Sequence, residues 1–143
     1  MKKASFPTPQ DAEAAFYEAL EQGNLEAMME VWSDDEEIVC VHPGGPRLCG
    51  FDQVRDSWAL IFKSGGQSKI HLTDQVVVQG MMFSIHSQHE NVFAPGAVPG
   101  RAAAVVTNVF QRSAGGWRMI VHHASPAPRP PAARPEPALK TLH

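Results

Sequence analysis

Apolar side chains in the first half of the chain recur at helical spacing. Those in the second half gather in runs broken by glycine. Ala12, Phe16, Ala19 and Leu20 share one face of a helix predicted over 9–22. Thr8 is placed to cap it, Pro9 suits its first position, Asp11 suits the positive end, and Gly23 stops it. Asn24 then caps a short second helix, whose Leu25, Met28, Met29 and Trp32 form one stripe at i, i+3, i+4 and i+7. The acidic run 34–37 reads as a solvated turn. Residues 38–42 are short and β-branched, a strand, and Pro43-Gly44-Gly45-Pro46 forces a loop that continues through Arg47, Leu48 and Cys49 to Gly50. A third helix over 52–63 carries Val54, Trp58, Ile61 and Phe62 on one face.

After Ser64-Gly65-Gly66 the period changes. Runs over 69–79, 82–94, 101–112 and 117–125 are rich in Val, Ile and Phe, and short Gly- or Pro-containing gaps separate them. Long runs with short gaps predict an antiparallel meander. Helices first and a meander after imply an α+β fold, with the helices covering one face of a curved sheet. The predicted domain spans 1–126. Residues 127–143 are rich in Pro, Ala and Arg, and proline cannot donate to a ladder, so an extended or disordered tail is expected there.

Composition narrows the function classes. The chain has 143 residues, which suits one domain rather than separate cofactor and substrate lobes. Residues 1–126 hold 9 Lys and Arg against 14 Asp and Glu, an acidic body that argues against nucleic acid or an anionic membrane as partner. Two cysteines make no disulfide framework, and no apolar run reaches the ~20 residues of a membrane span. Met1-Lys2-Lys3 leads into Phe6-Pro7-Thr8-Pro9 instead of an apolar stretch, so no secretory leader is read and a cytoplasmic protein is expected.

The string YEALEQGNLEAMMEVWSDDEEIVCVHPGGPRLCG (17–50) resembles the start of a SnoaL-like or ketosteroid-isomerase-like member of the nuclear transport factor 2-like superfamily. It has an aromatic on helix one, Gly-Asn at the helix break, an acidic turn, a strand and a Pro/Gly loop before a helix. WRMIVHHASPAP (117–128) is similar to the last strand of the calcium/calmodulin-dependent kinase II association domain, another member. The resemblance covers residues 8–128. It implies a cone-shaped fold, a strongly curved mixed or antiparallel sheet wrapped around three N-terminal helices, with a pocket at one end. It also implies a homodimer through the sheet. Its functions range from isomerases, cyclases and dehydratases to association modules, so the fold does not fix the activity.

In the isomerase relatives the resemblance implies a helix-one Tyr, a carboxylate base before the first loop's Pro and a protonated Asp on a later strand. Here those places hold Tyr17, His42 and Asn108. Imidazole, with an unperturbed pKa near ~6.5, suits a base at neutral pH, and an amide donates to an oxyanion. Tyr17, His42 and Asn108 are the candidate catalytic residues. Trp58, Phe62, His86, His123 and Val106 are the candidate lining for a small apolar or amphipathic ligand. Adjacent strand residues face opposite sides, so of His122 and His123 only one reaches the pocket; the relatives point to His123. The histidines lack metal-ligand spacing, and neither metal nor cofactor is expected. Cys40 and His42 share a strand face, but no positive neighbour is visible to activate the thiol. Met28-Met29 and Met81-Met82 read as core filling. The alternative function is a non-catalytic, homo-oligomerising association module.

Overall fold

Thr8 accepts a hydrogen bond from the Asp11 amide at 3.0 Å and opens helix α1, Pro9–Gln22. Gly23, left-handed at φ 66°, returns its amide to the last turn. Asn24 accepts from the Ala27 amide at 3.0 Å and opens α2, Leu25–Val31. In this computed structural model residues 4–34, 37–65, 68–93 and 104–128 are described. The predicted tail from 129, the loop 94–100, the first residues of the run at 101 and the centre of the acidic turn lie outside them.

The remaining elements are β1 (Val39–Val41), β2 (Arg47–Cys49), α3 (Phe51–Lys63), β3 (Lys69–Gln79), β4 (Phe83–Phe93), β5 (Ala104–Ser113) and β6 (Gly116–Pro126). They form an α+β fold, three helices on a six-stranded sheet of order β2-β1-β6-β5-β4-β3. Pairing is antiparallel throughout except β1 with β6, which is parallel. The sequence reading made 47–49 part of a loop. Instead the Pro/Gly turn folds this segment back, pairing Cys40 with Leu48, and the Gly50 amide bonds the Ile38 carbonyl at 3.0 Å.

Phe16, Met28, Trp32, Ile38, Val54, Phe110 and Met119 are fully buried where the helices meet the inner sheet face. Strand β4 reverses the usual alternation. Its Ser84, His86, Gln88 and Glu90 are buried inward, while Phe83 and Ile85 are exposed outward. Val76 and Val78 on β3 and Met81 and Met82 in the turn add to this exposed apolar outer face. Met81, at 82% exposed, and Met82 therefore do not fill the core, unlike Met28 and Met29.

A second correction concerns β6. Val109 pairs with Val121 but Phe110 pairs with Met119, so Ile120 is an extra residue, a β-bulge. The bulge reverses the facing of every residue beyond it. Trp117 and Met119 point inward before it; His122 and Ala124 point inward after it. His123 is exposed on the outer side. Simple alternation carries Trp117 and His123 to one face, and the bulge undoes that inference.

The β5–β6 turn ends at Gly116, at φ 108°, where an added Cβ would lie 2.7 Å from the Phe6 carbonyl oxygen. Trp117 donates its amide to that same carbonyl at 2.8 Å. Gly116→Ala is expected to cost about 1–3 kcal/mol, from positive φ and collision with backbone together. Gly115→Ala, whose Cβ would meet nothing closer than Arg118 at 3.7 Å, serves as control. Thermal melts of the two variants check this; equal melting temperatures would contradict it.

Candidate functional site

Helix α1 presents Glu13 and Tyr17, one turn apart, to the inner face of β4 and β5. Glu13 is 5% exposed and its carboxylate is saturated. Oε1 accepts from His86 Nδ1 and Gln75 Nε2, both at 2.9 Å. Oε2 accepts from Gln88 Nε2 at 2.9 Å and Asn108 Nδ2 at 3.0 Å. Burial alone would raise this carboxyl, but the bonds from His86, Asn108 and Gln88 and the charge interaction with His86 outweigh it, so the net shift is downward. Ser84 Oγ lies 2.9 Å from His86 Nε2 and completes that ring's bonding.

The Tyr17 hydroxyl donates to Glu90 Oε2 at 2.7 Å and accepts from Gln88 at 3.2 Å and Asn108 at 3.1 Å. Burial pushes the phenol well above its ordinary value, and the Glu90 charge adds to this. Glu90 is itself raised, first by burial and then by the Glu13 charge, against the lowering bond from Tyr17. The single Tyr17 proton and both Asn108 amide protons are thus engaged within the protein. Asn108 Oδ1 accepts from His122 Nδ1 at 2.6 Å. That bond fixes the proton on Nδ1 and leaves Nε2 as the basic nitrogen. Burial, then the neighbouring His42 and His123, push His122 down to about 3, so it is neutral.

His42 follows β1 at the start of the Pro/Gly loop and is half-buried. Its Nε2 lies 2.9 Å from Ser57 Oγ and 3.6 Å from Cys40 Sγ. Ser57 spends its only proton on the Val54 carbonyl at 2.7 Å, so its oxygen accepts from His42 Nε2–H. His42 Nδ1 then carries a lone pair and has no hydrogen-bond partner among the described residues. Burial lowers the pKa of this ring. Burial also pushes the Cys40 thiol up to about 12, which makes it a packed thiol rather than a nucleophile.

Trp58 of α3 joins the two histidines. Its ring stands edge-on to His42 at 4.6 Å between centroids, 6.0 Å from His122 and 5.7 Å from Phe62. The two imidazole centroids are 6.4 Å apart. Trp58 is 2% exposed, yet its indole Nε1–H lacks an acceptor among the described residues.

Of the sequence candidates, Tyr17, Asn108 and His86 meet in one buried network. His42, Trp58 and Phe62 form an aromatic wall beside it, linked to it by His122. Val106 is buried on the same inner face as Asn108 but packs with Ala104 and Ala124 in a separate cluster. His123 is outside the group altogether. Sequence reasoning missed Glu13, Gln88, Glu90 and His122. Glu13 had one usable signal: it lies four residues before Tyr17 on the same helix face. Among the described residues no group of three or more His, Cys, Asp or Glu is arranged to hold a metal ion. No described helix is long and apolar enough to cross a membrane.

Three relatives are similar to this chain. A chain from Thiobacillus denitrificans, named for the calcium/calmodulin-dependent protein kinase type II association domain, superposes with a TM-score of 0.80 at 35% identity, covering 87% of this chain and 99% of that one. A Streptomyces avermitilis chain of the NTF2-like family, provisionally assigned as a dehydratase, gives 0.73 at 35% identity over 82% and 92%. The F-box protein SKIP8 of Arabidopsis thaliana is 26% identical over 112 residues, which is 77% of this chain and 46% of that protein, so the chain spans about half the length of this curated relative. The SnoaL-like domain family matches residues 10–130, and the chain belongs to that family.

Proposed function

We propose that this SnoaL-like protein binds a small apolar or amphipathic carbonyl compound beside Trp58 and moves a proton on it, with His42 as the base. One observation carries this reading: His42 is a neutral imidazole whose Nε2–H is anchored on Ser57, leaving Nδ1 unprotonated and without a partner among the described residues, next to an aromatic wall. In the step proposed, Nδ1 takes the proton from the carbon next to the carbonyl. The C–H electron pair becomes the enolate double bond, negative charge develops on the carbonyl oxygen, and the imidazolium returns the proton. Tyr17 and Asn108, with all their protons committed inside the protein, act as positioning residues. They fix His122 and the helix–sheet spacing instead of donating to the substrate.

A second reading, the association module, is favoured by the exposed apolar outer face of Val76, Val78, Phe83 and Ile85. A surface of this kind suits self-association. Both readings carry a homodimer through the sheet.

His42→Ala is expected to lower turnover of an enolisable ketone or lactone by 10²-fold or more, the usual worth of a general base. Unchanged turnover would remove His42 from the role. In the pH profile of kcat/KM the neutral ring is the active form, so activity is present above the folded pKa and lost as pH falls through it. Since burial lowers that pKa, the acid limb is expected below the ordinary ~6.5 of imidazole; a limb above that value contradicts the assignment. Tyr17→Phe leaves Gln88, Asn108 and Glu90 short of a partner and is expected to destabilise by about 1–3 kcal/mol in urea unfolding. Native mass spectrometry of a Val78→Glu/Ile85→Glu variant is expected to show monomers where the parent shows dimers. A persistent dimer would place the contact elsewhere.

A further inference from the structure

Among the described residues, three polar atoms of the aromatic wall have no hydrogen-bond partner: the Trp58 indole N–H, His42 Nδ1 and His122 Nε2. One is a donor and two are acceptors. A buried indole N–H without an acceptor is costly, and such groups in a native fold call for an occupant. His122 Nε2 accepts one hydrogen bond, which a hydroxyl with its single proton can supply. The His42 ring lies 6.4 Å from that ring between centroids and keeps its Nδ1 lone pair for the proton transfer.

The charge of the surroundings selects further. Glu13 holds its negative charge, and Glu90 lies one hydrogen-bonded residue away through Tyr17. No Lys or Arg among the described residues hydrogen-bonds into this network, and both imidazoles of the wall are neutral. A carboxylate or phosphate brought here would meet negative charge with no cation to offset it, and would lose its hydration as well. The chemical demand is for a molecule that is uncharged, accepts one hydrogen bond and donates at least one.

We infer that the Trp58–His42–His122 cluster selects a neutral hydroxy-carbonyl compound, its carbonyl oxygen on the Trp58 N–H and its hydroxyl donating to His122 Nε2, and that it rejects the corresponding hydroxy acid. This inference rests on the proton-transfer reading for the location of the ligand, but it concerns recognition and is tested by binding alone. His122 is thereby a specificity-determining residue, and Asn108 sets its tautomer.

The test uses three matched probes on the full chain: 4-hydroxy-4-methylpentan-2-one, the same ketone without hydroxyl (4-methylpentan-2-one), and 3-hydroxy-3-methylbutanoate. Binding is followed in ¹H–¹⁵N spectra through the indole N–H signals of the chain's three tryptophans, with Trp58→Phe assigning the Trp58 signal. The hydroxy ketone is expected to move the Trp58 N–H signal downfield and to bind about tenfold more tightly than either comparison compound, the worth of one good hydrogen bond. Trp58→Phe, which keeps the apolar ring, is expected to weaken the hydroxy ketone about tenfold. His122→Phe is expected to abolish its advantage over the plain ketone. Equal or tighter binding of the acid overturns the inference, as does binding that leaves the Trp58 signal in place, or no binding of any probe at millimolar concentration. Selective binding of the hydroxy ketone without turnover would instead leave the recognition intact and remove the proton-transfer reading.

Discussion

One ionised carboxylate sets the terms for the interior. Glu13 sits where helix α1 crosses the sheet, and a charge there is tolerable only if every lone pair is met. Four donors from β3, β4 and β5 do this: Gln75, His86, Gln88 and Asn108. Each donor is thereby fixed in orientation, and that order spreads outward. Asn108 can show His122 only its carbonyl oxygen. Gln88 and Asn108 turn their protons toward Tyr17, so the Tyr17 hydroxyl can donate only to Glu90. The protonation pattern of the whole inner face follows from the helix placing one acidic side chain at one height above the sheet.

The sheet consequently has two faces that both exclude ordinary surface character. The inner face of β4 is polar but covered by helix α1 and satisfied by its own hydrogen bonds. The outer face is apolar across the β3–β4 hairpin, with Val78 62% and Val76 61% exposed. In a sheet with one wet side the polar residues of β4 would face water. Here His86, Gln88 and Glu90 are needed inside, and the alternating positions are free to be apolar. Interior chemistry and outer stickiness are thus two results of the same strand pattern.

Much of this fold was legible in the sequence, because local signals fixed it. Thr8, Pro9, Gly23 and Asn24 mark the ends of α1 and α2 through capping and backbone freedom, and the Pro/Gly loop after His42 marks the turn. The meeting of Tyr17 with Asn108 was also legible, through the family resemblance. What stayed hidden depends on pairing between distant segments. Ile120 looks like any strand residue until β5 is laid beside it, so the facing of His122 and His123 could not be read by alternation. Glu13 looks like a solvent residue of an amphipathic helix, since its partners lie more than 60 positions away. Met81 and Met82 look like core filling because apolar character does not say which side of a hairpin it will occupy. The short strand Arg47–Cys49 lacks a pattern long enough to recognise.

The bulge at Ile120 has a consequence for kinship as well as for geometry. Pairing the same residues without the bulge would set Ile120 against Val109, bring Val121 opposite Asn108, and turn His123 inward opposite Val106. Such a slip would replace the imidazole beside Asn108 with an apolar side chain and invert everything beyond it, including Ala124. Related chains that carry these same residues but pair them without the bulge would therefore align letter for letter and yet present different atoms to the same ligand. For these proteins, equivalence of function has to be judged by strand register before it is judged by residue identity.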